Sequence, residues 1–165
     1  MAPSAISHYR QDTWNYAGDN RAYQGYYSNP QFQYWGYIFH NRTTLQNAVN
    51  AVGTFGGKKT VTGIQATLVR RGGIGVYWVN AHVGVHNGNG PSGARPAIAH
   101  TYNYGGVDNQ GNAVTPWLVA SARDALINNT AAGLAFEYAG TADYAAFAST
   151  ADNAFSGWLT IHSLG

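Results

Sequence analysis

Apolar and polar residues alternate along residues 77–86 with a period of two, which is typical of a strand with one buried side. The first side is apolar or aromatic and the second is mostly polar: Tyr77, Val79, Ala81, Val83 and Val85, against Trp78, Asn80, His82, Gly84 and His86. After His86 a run of Asn, Gly, Pro and Ser extends to Pro96 and predicts a loop. The valine side needs a core, so we expect further strands to pack against it.

Residues 60–70 alternate in the same way and place Ile64, Ala66 and Leu68 on one side. A short glycine-rich connection leads from this segment to Tyr77, which predicts an antiparallel hairpin between the two strands. Further strands are predicted at short apolar runs bounded by turn residues: 97–104, 114–119, 132–138 and 157–162.

Two segments show helical spacing instead. Residues 41–53 place Leu45 and Val49 on one stripe and end at Gly53, and residues 121–128 form a shorter pattern. About eight strands with one or two short helices predict an all-β fold, an antiparallel β-sandwich of the jelly-roll type.

The length of 165 residues is typical of one domain with a core of its own. Residues 1–12 offer little to bury, so we expect an N-terminal arm followed by a single β-sandwich domain over residues 13–165. The start of the chain lacks the apolar stretch of a secretion signal, and release by cell lysis fits that pattern.

Composition and charge limit the kinds of molecule that we expect this protein to bind. Only 10% of the residues are charged and the formal net charge is +2, so we expect no nucleic acid partner. The chain has no Cys, which excludes disulfides and thiolate metal sites. No apolar run approaches the roughly 18 residues of a membrane-spanning helix, so no membrane insertion is expected.

The polar side of the strand predicted at residues 77–86 carries the side chains that most strongly suggest a function. His82 and His86 lie four residues apart, but in a strand this spacing is roughly 13 Å, too far for one metal ion. We therefore expect no metal and no other cofactor. With Trp78 and Asn80, the two histidines form either a solvent-facing polar surface or a recognition surface of indole, amide and imidazole groups.

Residues 14–39 are unusually rich in aromatic side chains, among them Tyr26, Tyr27 and Trp35. Rings with polar tips can pack between strands and subunits, or they can remain exposed and stack on sugar rings. Composition does not separate these alternatives. The candidate glycan-binding face therefore joins both segments: Trp78, Asn80, His82, His86, Tyr26, Tyr27 and Trp35.

Catalytic motifs are missing from the sequence. A glycosidase needs two carboxylates flanking the bond that it cleaves, and Glu137 is the only Glu, without an acidic neighbour. The chain contains no nucleophile elbow, phosphate-binding loop or zinc-protease motif. We expect a protein that is not an enzyme, with a carbohydrate-active enzyme as the least favoured alternative.

Several segments over residues 20–163 resemble β-sandwich modules of minor tail and other virion surface proteins from phages of actinobacteria. These segments mark strand ends and turns: Gln24-Gly-Tyr-Tyr-Ser, Trp35-Gly-Tyr-Ile-Phe, Thr60-Val-Thr-Gly-Ile-Gln-Ala-Thr-Leu-Val-Arg, His86-Asn with Pro91-Ser-Gly-Ala-Arg-Pro, Ala125-Leu-Ile-Asn-Asn-Thr-Ala-Ala-Gly-Leu-Ala-Phe and Gly157-Trp-Leu-Thr-Ile. They carry no catalytic residue.

The resemblance implies a virion protein that assembles in the host cytoplasm, has other virion proteins as partners and forms a homo-oligomer, for which we expect a trimer. Two roles stay open. The first is a minor tail or tail-tip protein that binds host cell-surface polysaccharide. The second is a purely structural capsid decoration or tail subunit without a ligand.

Overall fold

A computed structural model of the chain describes residues 1–28, 32–52, 54–55 and 58–164. In this part of the chain, fourteen strands and two helices follow one another in the order β1 Ala5–Arg10, β2 Thr13–Trp14, β3 Ala22–Tyr26, β4 Gln33–Phe39, α1 Arg42–Ala51, β5 Thr54–Phe55, β6 Lys58–Lys59, β7 Val61–Ala66, β8 Leu68–Gly75, β9 Trp78–His86, β10 Ile98–Asp108, β11 Ala113–Val114, α2 Ala120–Ile127, β12 Gly133–Phe136, β13 Ala145–Phe147 and β14 Leu159–Ser163.

The fold is all-β and antiparallel, as predicted. Eight strands follow one another across the main sheet in the order β10-β9-β12-β4-β3-β13-β8-β11, and β1 and β2 extend it beside β4. The sheet curls until it is nearly closed, and the amide of Gly73 on β8 donates to the carbonyl of Asn109 just after β10. Two-stranded sheets of β14 with β7 and of β5 with β6 complete the described strands.

The core lies inside this curled sheet. Val79, Ala81, Val83 and Val85 of β9 are all buried, which confirms the alternation predicted for that strand. Leu134 and Phe136 of β12 and Leu45 and Val49 of α1 belong to the same apolar cluster. Burying an aliphatic side chain of this size contributes about 1.5–3 kcal/mol, so this cluster is the main source of stability.

The two helices lie close to their predicted positions. The Asn41 side chain caps α1 by accepting a hydrogen bond from the Thr44 amide at 2.9 Å. The cap predicted at Gly53 lies outside the described residues. Helix α2 begins at Ala120 without a side-chain cap and buries Ala122 and Leu126.

The predicted N-terminal arm is wrong for most of its length. Strand β1 pairs with β4 from Ala5 opposite Phe39 to Tyr9 opposite Trp35. His8 is fully buried in this strand, and the N-terminal ammonium donates to the carbonyl of Leu159 at 2.6 Å. The sequence did not reveal the strand because its buried positions include a serine and a histidine, which mask the apolar alternation.

The predicted hairpin between residues 60–70 and the strand at residues 77–86 is also wrong. The first segment divides into β7, which pairs with β14, and β8, which pairs with β13 and β11. Strand β9 instead lies between β10 and β12. Gly75 ends β8 with a φ of +80° beside the backbone of Tyr144, so the chain leaves this sheet position before β9 begins.

Candidate functional site

Trp78 opens strand β9, and its indole reaches the backbone of β10. The ring lies on Gly106, where an added Cβ would overlap the indole. Gly106 stands opposite Asn80 in the ladder, so the indole reaches diagonally across the strand pair. The indole atoms nearest to that position are Cζ2, Cε2 and Nε1, and 58% of Trp78 is exposed, so much of the ring is open to solvent.

His82 follows on the same side of β9 and is held from two directions. Its Nε2 lies 3.2 Å from Oδ2 of Asp143, and its ring stacks on Tyr138 with centroids 4.5 Å apart. Since a carboxylate can only accept, Nε2 carries the hydrogen in this pair. The imidazole is therefore fixed in position while about 20% of its side chain stays exposed.

Asn80 lies between these two groups and is half-buried. The backbone N–H of Asn80 donates to Oδ1 of Asp143 at 3.4 Å, so the same carboxylate contacts both β9 residues. Fully buried Gln24 completes the support, since its side-chain amide donates to the carbonyl of Asn80 and accepts from the amide of His82. β12 ends before it reaches this part of β9. Side chains therefore hold the β9 backbone here in place of a neighbouring strand.

Sequence reasoning missed three of these supporting residues. Tyr138 falls within the strand predicted over 132–138, but β12 ends at Phe136 and Tyr138 instead stacks on His82. Asp143 was not predicted as a site residue, and Gln24 appeared only within a strand-end segment. No local signal distinguishes them, because their partners lie 56 to 63 residues away in sequence.

His86 does not belong to the recognition surface, which corrects the prediction for this residue. It is only 2% exposed and lies between the rings of Tyr37 and Phe39. Its Nε2 donates to the Ile38 carbonyl at 3.0 Å, while Nδ1 accepts from the Gly88 amide at 3.0 Å. Burial lowers the pKa of His86 to about 4, so the imidazole is a neutral structural residue.

The aromatic candidates from residues 14–39 lie on β3 and β4 or just after β3, not on β9. Trp35 is half-buried on β4, with the guanidinium of Arg95 4.2 Å above its ring. Tyr26 is half-buried at the end of β3, and exposed Tyr27 lies 5.6 Å from the ring of Tyr144. Of the seven predicted residues, Trp78, Asn80 and His82 share the partly open side of β9, and we call them the Trp78 patch together with Tyr138 and Asp143.

Two carboxylates meet elsewhere, at the guanidinium of Arg21. Asp152 accepts from Nε at 2.7 Å, and Asp19 accepts from Nη1 at 3.3 Å. The hydrogen bonds from Arg21 hold the pKa of Asp152 well below its usual range. Within the described residues, no group of three or more His, Asp and Glu side chains is arranged to hold a metal ion.

A comparison with protein-family models finds no match to this chain, and a comparison with curated proteins finds no significant match. The described part of the chain also contains no helix with the length and apolar character needed to cross a bilayer. The fold class and the contacts of the Trp78 patch therefore carry the functional argument.

Proposed function

We propose that this protein is a non-enzymatic virion surface protein of a bacteriophage, of the minor tail or tail-tip type, that binds host cell-surface glycan through the Trp78 patch. The observation that carries the proposal is an indole that lies against Gly106 and is 58% exposed, beside an imidazole fixed by Asp143 and Tyr138.

Sugar rings suit this arrangement because they have two kinds of surface. Their C–H groups form an apolar face that packs on an aromatic ring, and their hydroxyls donate and accept hydrogen bonds around the rim. Trp78 offers the ring face, while Asn80 and His82 offer polar groups beside it. A binding site needs little rearrangement when its polar groups are already held in place, as His82 is.

The virion setting is supported by the resemblance of the segments between residues 20 and 163 and by the sparsely charged all-β fold. In that setting the partners are other virion proteins and further copies of this chain in a trimer. The protein would assemble in the host cytoplasm and leave with the particle at lysis.

A purely structural decoration or tail subunit is the second candidate, and a specific observation favours it. Most rings of the aromatic tract serve packing, since Tyr23, Tyr34 and Tyr37 are buried and Trp35 lies under Arg95. The tract is therefore no stacking surface as a whole. Only a requirement for Trp78 in binding distinguishes the two roles.

A glycosidase fits these contacts poorly. Its general acid needs a raised pKa so that it stays protonated near neutral pH. At the one place where two described carboxylates share a guanidinium, Arg21 lowers the pKa of Asp152 instead. This pair favours a structural ion network rather than acid catalysis.

The test is binding of fluorescently labelled protein to intact actinobacterial cells, with soluble cell-wall sugars as competitors. We expect saturable binding that the sugars displace, and Trp78→Ala should weaken it at least tenfold, since removing a central Trp typically costs about 2 kcal/mol or more. Tyr77→Ala is the matched control, because Tyr77 is the neighbouring exposed ring.

Two results would contradict the proposal. If Trp78→Ala binds like the wild type, the glycan contacts another surface. If the folded wild-type protein shows no binding, the structural subunit becomes the better account.

A further inference from the structure

Trp117 forms a second exposed indole on the small sheet of β7 and β14. The segment around it runs beside β7, because the Ala66 amide donates to the Pro116 carbonyl and the Leu118 amide donates to the Ile64 carbonyl. Trp117 extends from this segment across β7 and is 54% exposed. The backbone that supports the ring is therefore fixed by hydrogen bonds on both sides.

The indole of Trp117 lies on Gly63, as that of Trp78 lies on Gly106. A Cβ added at Gly63 would approach two indole carbons to 2.6 and 2.7 Å, so a side chain at this position would displace the indole. Gly63 stands opposite His162 of β14, and the imidazole meets the indole with ring centroids 4.4 Å apart. The Cζ3 and Cε3 atoms of the indole thus lie against the β7 backbone, and the imidazole packs at an angle against the ring.

Polar groups surround this ring in a connected arrangement. His162 Nε2 and Oε1 of Gln65 are 2.8 Å apart, and Gln65 Nε2 donates to the Thr115 carbonyl at 3.0 Å. Thr160 stands opposite Gln65 and is exposed. We call Trp117, His162, Gln65 and Thr160 the Trp117 patch; it combines indole, imidazole, amide and hydroxyl groups without a carboxylate.

We infer that the Trp117 patch is a second binding site for neutral sugar rings. The inference rests on the proposed function for its ligand class, but its geometry is independent of the Trp78 patch. Both patches combine an exposed indole beside a glycine, a histidine in contact with an aromatic ring, and a side-chain amide. The first lies on the main sheet and the second on the small sheet.

A purely structural indole would behave differently. Its contribution would come from covering Gly63, and the exposed side of the ring would have no partner. An open ring bordered by oriented hydrogen-bonding groups instead has the composition of a ligand site, where a few polar groups orient an apolar contact. Two such sites on one chain would raise affinity for a repeating polysaccharide above that of either site alone.

The experiment follows the indole N–H signals of the full chain by NMR during titration with short neutral oligosaccharides released from actinobacterial cell-wall polysaccharide. The chain has five Trp residues, and single Trp→Phe variants assign their signals. We expect the Trp78 and Trp117 signals to shift on saturation and the Trp158 signal to stay unchanged. Calorimetry should give two oligosaccharides per chain, and one for Trp117→Ala.

The outcomes separate this inference from the proposed function. If Trp78 shifts and Trp117 does not, the second site is wrong and the first stands. If Trp117 shifts and Trp78 does not, the proposed site fails while the inference holds. If neither signal moves, both fail. A Trp117 signal that changes only with protein concentration would assign the patch to a contact between copies and overturn the inference.

Urea unfolding of Trp117→Ala provides the control for folding. On cells, we expect this variant to lose about tenfold in apparent affinity because one of two sites is gone. Trp117→Phe should recover part of this affinity, since phenylalanine keeps an aromatic face over Gly63. Equal affinities for wild type and Trp117→Ala on cells would contradict a second site.

Discussion

The two halves of β9 have the same alternating pattern and different surroundings. From Trp78 to His82 the polar side is open, whereas from Gly84 to His86 it is covered. Two histidines four residues apart therefore differ completely: His82 lies beside Asp143 at the surface, and His86 lies between two aromatic rings. The comparison shows that strand periodicity predicts which side a residue faces but not whether that side meets water.

The cover over the second half comes from neighbouring strands. β10 has register irregularities between Ala99 and Tyr102, where its backbone closes over Gly84. β4 contributes Tyr37 and Phe39, which form a second apolar cluster with Ala135. The sheet is thus buried on both sides here, and on one side around Trp78.

Substituting the two histidines should give the largest difference between the two halves of β9. His86→Ala should lower the free energy of unfolding by about 2–4 kcal/mol, because it leaves a cavity between the rings and removes the partners of the Ile38 carbonyl and Gly88 amide. His82→Ala should cost less than about 1 kcal/mol, since its ring is partly exposed. Urea unfolding at neutral pH measures the free energy of unfolding of both variants. Equal losses would contradict the difference inferred between the two halves of β9.

The pH dependence of stability should follow the buried histidines. Burial lowers the pKa values of His86 and His40 to about 4, against about 6.5 in the unfolded chain. Between these values the unfolded state binds more protons, so stability falls as pH decreases from about 6.5 to 4. Each residue contributes roughly 3 kcal/mol to this loss once the pH is below 4.

Urea unfolding of wild type and His86→Asn between pH 7.5 and 4.5 tests this expectation. The variant starts less stable, but its stability should fall less steeply with decreasing pH because one buried titrating group is gone. Parallel slopes for the two proteins would show that His86 does not titrate as its burial implies.

Glycine substitutions give a smaller but sharper test of the two halves. Gly84→Ala should cost about 1–3 kcal/mol, since the new Cβ would lie 2.5 Å from the backbone oxygen of Ala99. Gly106→Ala should cost only about 0.5 kcal/mol, because the exposed indole of Trp78 can swing away. Of the two variants, only Gly106→Ala should weaken cell binding. If Gly84→Ala weakened binding and Gly106→Ala did not, the glycan site would lie elsewhere.

Much of the architecture could be predicted from local patterns. The valine alternation of β9, the Leu45 and Val49 stripe of α1 and the all-β class follow from spacing and composition, and the structure confirms them. The strand β1 could not be predicted, because buried His8 gains its partners from the Arg21 carbonyl and the Ala17 amide. Those partners compensate for burying a polar ring, and the sequence of β1 gives no sign of them.

The candidate site likewise has one part that could be predicted from the sequence and one part that could not. Trp78, Asn80 and His82 share a strand side because side chains alternate in any extended chain, and the residues alone suffice for that inference. The contacts with Tyr138 and Asp143, the burial of His86 and the shared row of Trp117, Gly63 and His162 depend on strand register between distant segments. Register arises from packing of the whole sheet, so these features emerge only when the chain has folded.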